Sequence, residues 1–321
     1  MSRRAAVAAS VCLAALAMGC FETKQEYTIN PDGSGKVACE LAMQDMAAAM
    51  TPDAPPASED QIRQTARQIV SQSRGIEAWK DVSFGRAEDG RIRFKGTAYF
   101  KDLSAFRVSQ GGPSGMTLTK DDKGGLVLAL EEGKGKEKEK GSGEAPPQLT
   151  EEEITKRIAD HRARWQQQRP MLAMVLGTMK MDLRFRLPGT PAEVTNFAKG
   201  DDGTLRLLFE GPKLLEGMDQ LTANDAAMHE IVAAGESLGE GGPKAGLLMN
   251  EKMFGSKESP RVRMTGDLKP LFDYKAEMEA AKAVQPEMMK KLGLDQPPAE
   301  PAMPPDFLQG TPPGGGAAPA K

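Results

Sequence analysis

The sequence predicts an α+β fold, with an antiparallel, hairpin-rich sheet packed with helices and a mainly helical region toward the C-terminus. Three observations predict it. Several short runs alternate apolar and polar residues at period two, the signature of a half-buried strand. Asp-Gly turns join these runs in pairs. Capping boxes open helices between the pairs, so hairpins and helices are mixed rather than arranged as βαβ units.

The first pair surrounds Asn30-Pro31-Asp32-Gly33-Ser34-Gly35-Lys36-Val37. Two glycines and a lysine suggest a phosphate loop, but the spacing excludes one. Asn30 stands where the first glycine is needed, and Val37 replaces the hydroxyl residue that would hold magnesium. Tyr27 and Ile29 alternate before this stretch. Val37, Cys39, Leu41 and Met43 alternate after it, so Pro-Asp-Gly reads as a hairpin connection.

Ser58 and Gln61 then form a capping box. Ile62, Ala66, Ile69 and Val70 share the following helical face, and Gly75 is the expected C-cap. Trp79 to Gly85 and Arg91 to Phe100 flank the turn Glu88-Asp89-Gly90 as a second hairpin. Met116 to Lys120 and Leu126 to Leu130 flank a third. Thr150 with Glu153 caps another helix, whose face of Ile154, Ile158 and Trp165 runs up to Pro170. Met171 to Leu176 is apolar all round, which predicts a buried helical segment ending at Gly177. Met181, Leu183, Phe185 and Leu187 alternate as a strand, as do Leu205, Leu207 and Phe209 after Asp201-Asp202-Gly203. The order strand-strand-helix-strand-strand thus occurs twice, over 21–100 and 115–210, as a duplicated ββαββ unit would. Residues 212–292 read mostly as helix, and Val262 and Met264 offer one short strand.

The organisation expected is a signal over 1–19 and an α+β first half over 20–131. A charged linker (132–148), a second half (149–221), a mainly helical region (222–295) and a Pro/Gly/Ala tail (296–321) follow. The linker tract Gly133 to Pro147 alternates charge with glycine, and its lysines and glutamates nearly balance, so it predicts a solvated loop. Met50 to Ala57 is a Pro-rich connector.

At the N-terminus, basic Arg3 and Arg4 precede an apolar run from Ala5 to Met18, too short to span a bilayer and suited to a secretory signal. The run ends Leu16-Ala17-Met18-Gly19-Cys20, which resembles a bacterial lipoprotein signal, with leucine one place further from the cysteine than is usual. The resemblance implies cleavage before Cys20, diacylglycerol on its thiol and acylation of the new amine. Several acyl chains anchor stably where one would be marginal. The expected partner is therefore a membrane, reached through an N-terminal lipid. The expected location is the cell envelope, and Phe21 after the cysteine favours the outer membrane of a two-membrane host. The alternative is an ordinary cleavable signal. Of the three cysteines, only Cys39 is then left as a thiol, which excludes an internal disulfide and a cysteine metal cluster and reads as a small buried hydrophobe.

The chain carries 42 basic and 45 acidic residues; loss of Arg3 and Arg4 with the signal leaves 40 against 45, a net charge of −5. That balance gives no expectation of nucleic-acid binding.

Three places together resemble the LppM-type lipoprotein domain. They are the Cys20-to-Met43 opening with its hairpin, Leu187-Pro188-Gly189, and the run from Phe209-Glu210-Gly211 to Asp219-Gln220-Leu221. Thr190-Pro191 stand where that family usually has Asn-Gly, and Leu207 or Leu208 where it has a tryptophan. Over 21–221 the resemblance implies an α+β, envelope-bound, non-catalytic domain that binds lipid.

Catalytic and metal motifs are not found, and neither an enzyme activity nor a cofactor nor a metal is expected. His229-Glu230-Ile231-Val232-Ala233 begins like a zinc-protease helix, but Ala233 stands where the second histidine must be. His161 sits on a charged helix among Asp160, Arg162 and Arg164. Asp121-Asp122 and Asp201-Asp202 precede turn glycines, as turn chemistry requires.

One feature stands out. Outward strand positions are repeatedly basic, at Arg91, Arg93 and Lys95, at Lys180, Arg184 and Arg186, at Arg206, and at Arg261 and Arg263. On one sheet they would form a candidate anionic-ligand face. The alternative pairs them across strands with carboxylates. The function expected is a lipid-anchored, non-enzymatic envelope protein binding a lipid-like or anionic ligand or a partner protein. A structural scaffold of the envelope is the second reading, and an unrecognised hydrolase built on His161 or His229 the third.

Overall fold

The computed structural model describes residues 21–45, 55–109, 115–130, 149–237 and 242–295. Cys20, the charged linker and the tail lie outside the described residues. Among the described residues the fold is α+β, with eleven strands and six helices.

The first hairpin joins β1 (Phe21–Ile29) to β2 (Gly35–Met43), antiparallel over nine residue pairs. Its turn closes as Asn30 N–H donates to the Ser34 carbonyl at 2.8 Å, and Gly33 takes φ +87°. Helix α1 (Glu59–Gln72) follows, with the capping box of Ser58 and Gln61 formed. It buries Ile62, Ala66 and Ile69. The C-cap is Ser73 rather than Gly75, because the Ser73 hydroxyl donates to the Ile69 carbonyl at 2.6 Å and ends the helix there. Gly75 is used differently. It takes φ +67°, and a Cβ at its position would lie 2.6 Å from the Ala105 carbonyl oxygen.

The second hairpin is β3 (Ala78–Arg86) with β4 (Ile92–Phe100), and the third is β5 (Met116–Lys120) with β6 (Leu126–Leu130). Helix α2 (Glu151–Leu176) begins at the Thr150–Glu153 capping box and runs on through Pro170 to Gly177. Its last turn is not the buried segment expected from its apolar composition. Residues 171–176 are partly or fully exposed, and Met174 keeps 74% of its surface open. Nothing is packed around this turn on all sides, so apolar composition alone does not bury it.

Strands β7 (Lys180–Arg186), β8 (Thr190–Thr195), β9 (Ala198–Lys199) and β10 (Leu205–Glu210) come next. Helices α3 (Gly211–Ala223), α4 (Asp225–Ala233) and α5 (Pro243–Phe254) follow, then β11 (Arg261–Thr265) and α6 (Tyr274–Lys291). The expected boundary between 221 and 222 falls inside α3.

Seven strands form one sheet in the order β3-β4-β2-β1-β7-β10-β9, and four form another in the order β5-β6-β11-β8. The sheets are antiparallel except where β1 runs parallel to β7. The repeated ββαββ order is therefore not repeated in space. The first unit places all four strands in the large sheet, whereas the second sends β5 and β6 to the small sheet and β7 and β10 to the large one.

The inner face of the large sheet packs against α1 and the small sheet. Tyr27, Phe94, Phe100, Phe185, Leu128 and Leu183 are among the side chains left with under 2% of their surface exposed. Cys39 lies on this face, its thiol donating to the Gly96 carbonyl at 3.2 Å, and burial pushes its pKa up to about 12. The opposite face of the same sheet carries the candidate site.

Candidate functional site

The outer face of the large sheet is set by register. One row across the strands reads Lys80, Thr97, Ala38, Glu26, Arg184 and Arg206, and the next reads Ala78, Tyr99, Lys36, Thr28 and Arg186. Thr97, Ala38 and Thr28 are small, while their neighbours are long and charged. Short side chains at the centre of long ones leave a hollow, and a basin of about 380 Å³ lies there. Lys36, Lys80, Arg184 and Arg186 border it, facing Glu26, Asp81, Glu277 and Asp202.

Its walls come from three places. The outer sheet face supplies the cations and Glu26. The turn before β10 supplies Asp202, whose carboxylate accepts from the Thr204 hydroxyl at 2.6 Å and lies 3.6 Å from Arg186. Helix α6 supplies Glu277, which accepts twice from Lys36 Nζ, at 2.9 and 2.7 Å, and from the Tyr99 hydroxyl at 3.1 Å. Burial, then the Glu277 hydrogen bond and the charges of Glu277 and Asp81, push Tyr99 up to about 12. A second, adjoining hollow shares Thr28, Lys36, Arg186 and Asp202 and ends against Leu187, Leu271 and Phe272. There Lys36 Nζ lies 4.4 Å from the Phe272 ring centroid. Polar and apolar surface thus meet at Lys36 and Arg186.

The basic positions named from sequence do not form one uniform face. Arg261 and Arg263 belong to the small sheet, because β11 pairs with β6 and β8. On the large sheet, acidic residues are interleaved. Arg91 pairs with Glu22 at 3.0 Å, Arg93 and Lys95 approach Glu40 at 3.9 and 3.2 Å, and Arg206 pairs with Asp182 at 2.8 Å. Arg184 reaches both Asp182 at 3.1 Å and Glu26 at 3.7 Å. Burial by itself would raise the Asp182 carboxyl, but the hydrogen bonds from Arg206 and Arg184 outweigh it and hold the pKa below the usual carboxylate range. Of the seven large-sheet cations, the basin gathers only Arg184 and Arg186. Lys180 and the Arg91–Lys95 group lie on other rows.

Sequence reasoning missed Lys36, Lys80, Asp81 and Glu277. Lys36 was visible as an outward position of β2. Asp81 was not, because a register shift between Lys80 and Ser83 breaks the alternation of β3.

The two histidines lie elsewhere. A groove of about 650 Å³ between α2 and α4 is bordered by His229, Thr155, Asp225 and Arg162. Each group has another partner. The Thr155 hydroxyl donates to the Glu151 carbonyl at 2.8 Å, a ring nitrogen of His229 lies 3.1 Å from the Glu151 carboxylate, and Asp225 pairs with Arg162 at 2.6 Å. His161 does not border this groove. Among the described residues, no group of three or more His, Cys, Asp or Glu side chains is placed to hold a metal ion. Among the same residues, no helix is long and apolar enough to cross a membrane.

No protein-family profile and no curated protein sequence matches the chain. Among solved structures, the chain is similar to the folded domain of Mycobacterium tuberculosis LppM, determined by NMR. Identity is 11%, the match covers 60% of this chain and 83% of that one, and the TM-score is 0.26.

Proposed function

We propose that this chain is an exported lipoprotein of the cell envelope, held to a membrane by acyl groups on Cys20. In this reading it is non-enzymatic and binds an anionic, lipid-like ligand on the outer face of its large sheet. The observation that supports the ligand reading is the pair of adjoining hollows that share Lys36 and Arg186. An anionic group is attracted by Arg186, whose partner Asp202 lies 3.6 Å away, and by Lys80, while an apolar part rests against Leu187, Leu271 and Phe272. The signal-like segment Arg3 to Cys20 supports the anchor.

Two measurements test the reading. Intact mass of the processed chain is expected to show an N-terminal Cys20 bearing acyl groups; an unmodified Cys20, or a different first residue, overturns the anchor. Binding to anionic-lipid vesicles is expected to drop about threefold to tenfold in a Lys80→Ala, Arg186→Ala double variant. Undiminished binding by a folded double variant removes the basin from the account.

A further inference from the structure

Strand β3 departs from regular pleating inside the basin. Consecutive side chains of a strand normally point to opposite faces. Here the pairing with β4 shifts between Lys80 and Ser83, and Asp81 adopts φ 54°. This is a β-bulge, a device that re-aims a side chain. As a result Lys80 and Asp81 both border the basin, while Val82 turns inward and is buried. The left-handed conformation is unfavourable for a residue with a Cβ, though aspartate tolerates it better than most. Local strain of this kind concentrates at functional sites. A glycine at this position would form the same bulge without strain but would place no carboxylate at the rim.

The carboxylate placed there is uncommitted. Among the described residues neither the Asp81 nor the Lys80 side chain has an ion pair or a hydrogen bond. The other acids of the basin are occupied. Glu277 is held by Lys36 and Tyr99, Glu26 by Lys24 at 2.9 Å, and Asp202 by Thr204 and Arg186. The basin thus offers two kinds of recognition. Lys80, and Arg186 with its loose partner, are available to an anion. Asp81 is available to a cation. A purely anionic ligand would be repelled by Asp81, so an exposed and strained carboxylate at this rim works against simple anion binding.

We infer that the basin binds a zwitterionic ligand, one carrying a primary ammonium group near an anionic phosphate or carboxylate, with Asp81 taking the ammonium and the basin cations the anion. This deepens the proposed function and rests on its assignment of the basin as the binding site. Asp81 is then the residue that separates zwitterions from plain anions. The ammonium–phosphate chemistry is shared by a lipid headgroup and by a soluble phosphate ester.

The test uses the full-length chain and two soluble probes, O-phosphoethanolamine and inorganic phosphate, followed by calorimetry or ligand-observed NMR. The wild-type chain is expected to bind O-phosphoethanolamine about threefold to tenfold more tightly than phosphate, the range of one partly exposed charge-assisted contact. Asp81→Gly keeps the bulge without strain, and its thermal midpoint is expected to match or exceed the wild type. That variant is expected to lose the preference, as is Asp81→Asn, which keeps the side-chain shape. Equal binding of both probes by the wild type, or a preference that survives Asp81→Gly, overturns the zwitterion assignment and leaves the basin as an anion site. Binding of neither probe overturns the basin itself and this inference with it. Phosphatidylethanolamine vesicles that displace the soluble probe identify the source as a membrane headgroup. Failure to displace it identifies a soluble zwitterion.

Discussion

The backbone N–H of Trp79 donates to Gln285 Oε1 at 2.8 Å, across 206 residues of sequence. Three residues further along each element, Val82 N–H donates to Met288 Sδ at 3.4 Å. Helix α6 therefore lies along the outer edge of β3 and supplies side-chain acceptors where a neighbouring strand would supply carbonyls. An open edge is a template for pairing with another chain, and covering it with a helix removes that hazard. The same helix reaches the basin through Glu277.

Its hold on the sheet combines these polar contacts with apolar packing, of Ala281 and Met278 against Ala78 and Tyr99 and of Met288 and Met289 against the main core. Gln285→Ala is expected to lower stability by about 1 kcal/mol, the worth of one backbone donor left without its acceptor. Chemical denaturation measures it. Removing residues 274–321 is expected to expose the β3 edge and produce concentration-dependent association in sedimentation experiments. A monodisperse truncated chain at high concentration would contradict the role given to α6.

Gly211 begins α3 directly after β10, and its N–H donates to the Met179 carbonyl at 2.9 Å. A Cβ there would lie 1.8 Å from the Leu176 carbonyl oxygen, too close for any rotamer change to relieve, because both partners are backbone. Gly211→Ala is expected to destabilise the chain by on the order of 3 kcal/mol. Gly203→Ala makes a useful contrast. Its Cβ would meet no atom within 4 Å, and only its φ of +77° opposes the change, so the loss is expected to be smaller. Paired thermal melts check the order.

Asp182 is 8% exposed and accepts from Arg206 Nε at 2.8 Å and from Arg184 at 3.1 Å. Its folded-state pKa is depressed, so it contributes stability that is complete above the unfolded value, near 3.9. That contribution is lost as pH falls from there through the folded value. Asp182→Asn is expected to cost about 1–2 kcal/mol near neutral pH, discounted because both arginines are partly exposed. The difference from wild type is expected to shrink as the medium is acidified below pH 4. A gap that is constant with pH would show that packing, rather than charge, carries the effect.

Cys39 is expected to resist thiol reagents in the folded chain, because the thiolate is the reactive form and burial raises its pKa to about 12. In a chain beginning at residue 21, where it is the sole thiol, labelling at pH 8 is expected to follow unfolding. Rapid labelling without denaturant would refute its placement in the core.

The site was only partly legible. Arg184 and Arg186 could be placed on an outward strand face from alternation alone. Glu277 could not, since nothing local to Tyr274–Lys291 says that this helix crosses to Lys36, 241 residues away. Asp81 was hidden for a different reason. A bulge shifts the pleat by one residue, and a period-two reading then assigns the wrong face. The stretch Asn30 to Lys36 shows both levels. Its turn was readable from Pro-Asp-Gly, but its further use was not. The Asn30 amide donates to the Phe272 carbonyl at 3.3 Å, and its oxygen accepts from Leu271 N–H at 2.8 Å, so the turn docks the segment leading into α6.

By itself the sequence determined most of the elements, though not the strands β8 and β9. Alternation, capping boxes and turn residues act over a few neighbours, and the first three hairpins and the starts of α1 and α2 stand where those signals put them. The tertiary structure alone decided which elements are neighbours. It set β1 parallel to β7, sent β5 and β6 to join β11, left Met174 exposed at the end of an apolar run, and laid α6 along β3. These outcomes depend on burial shared between segments more than a hundred residues apart. Local periodicity reports which face of a strand is apolar, but not which surface will cover it.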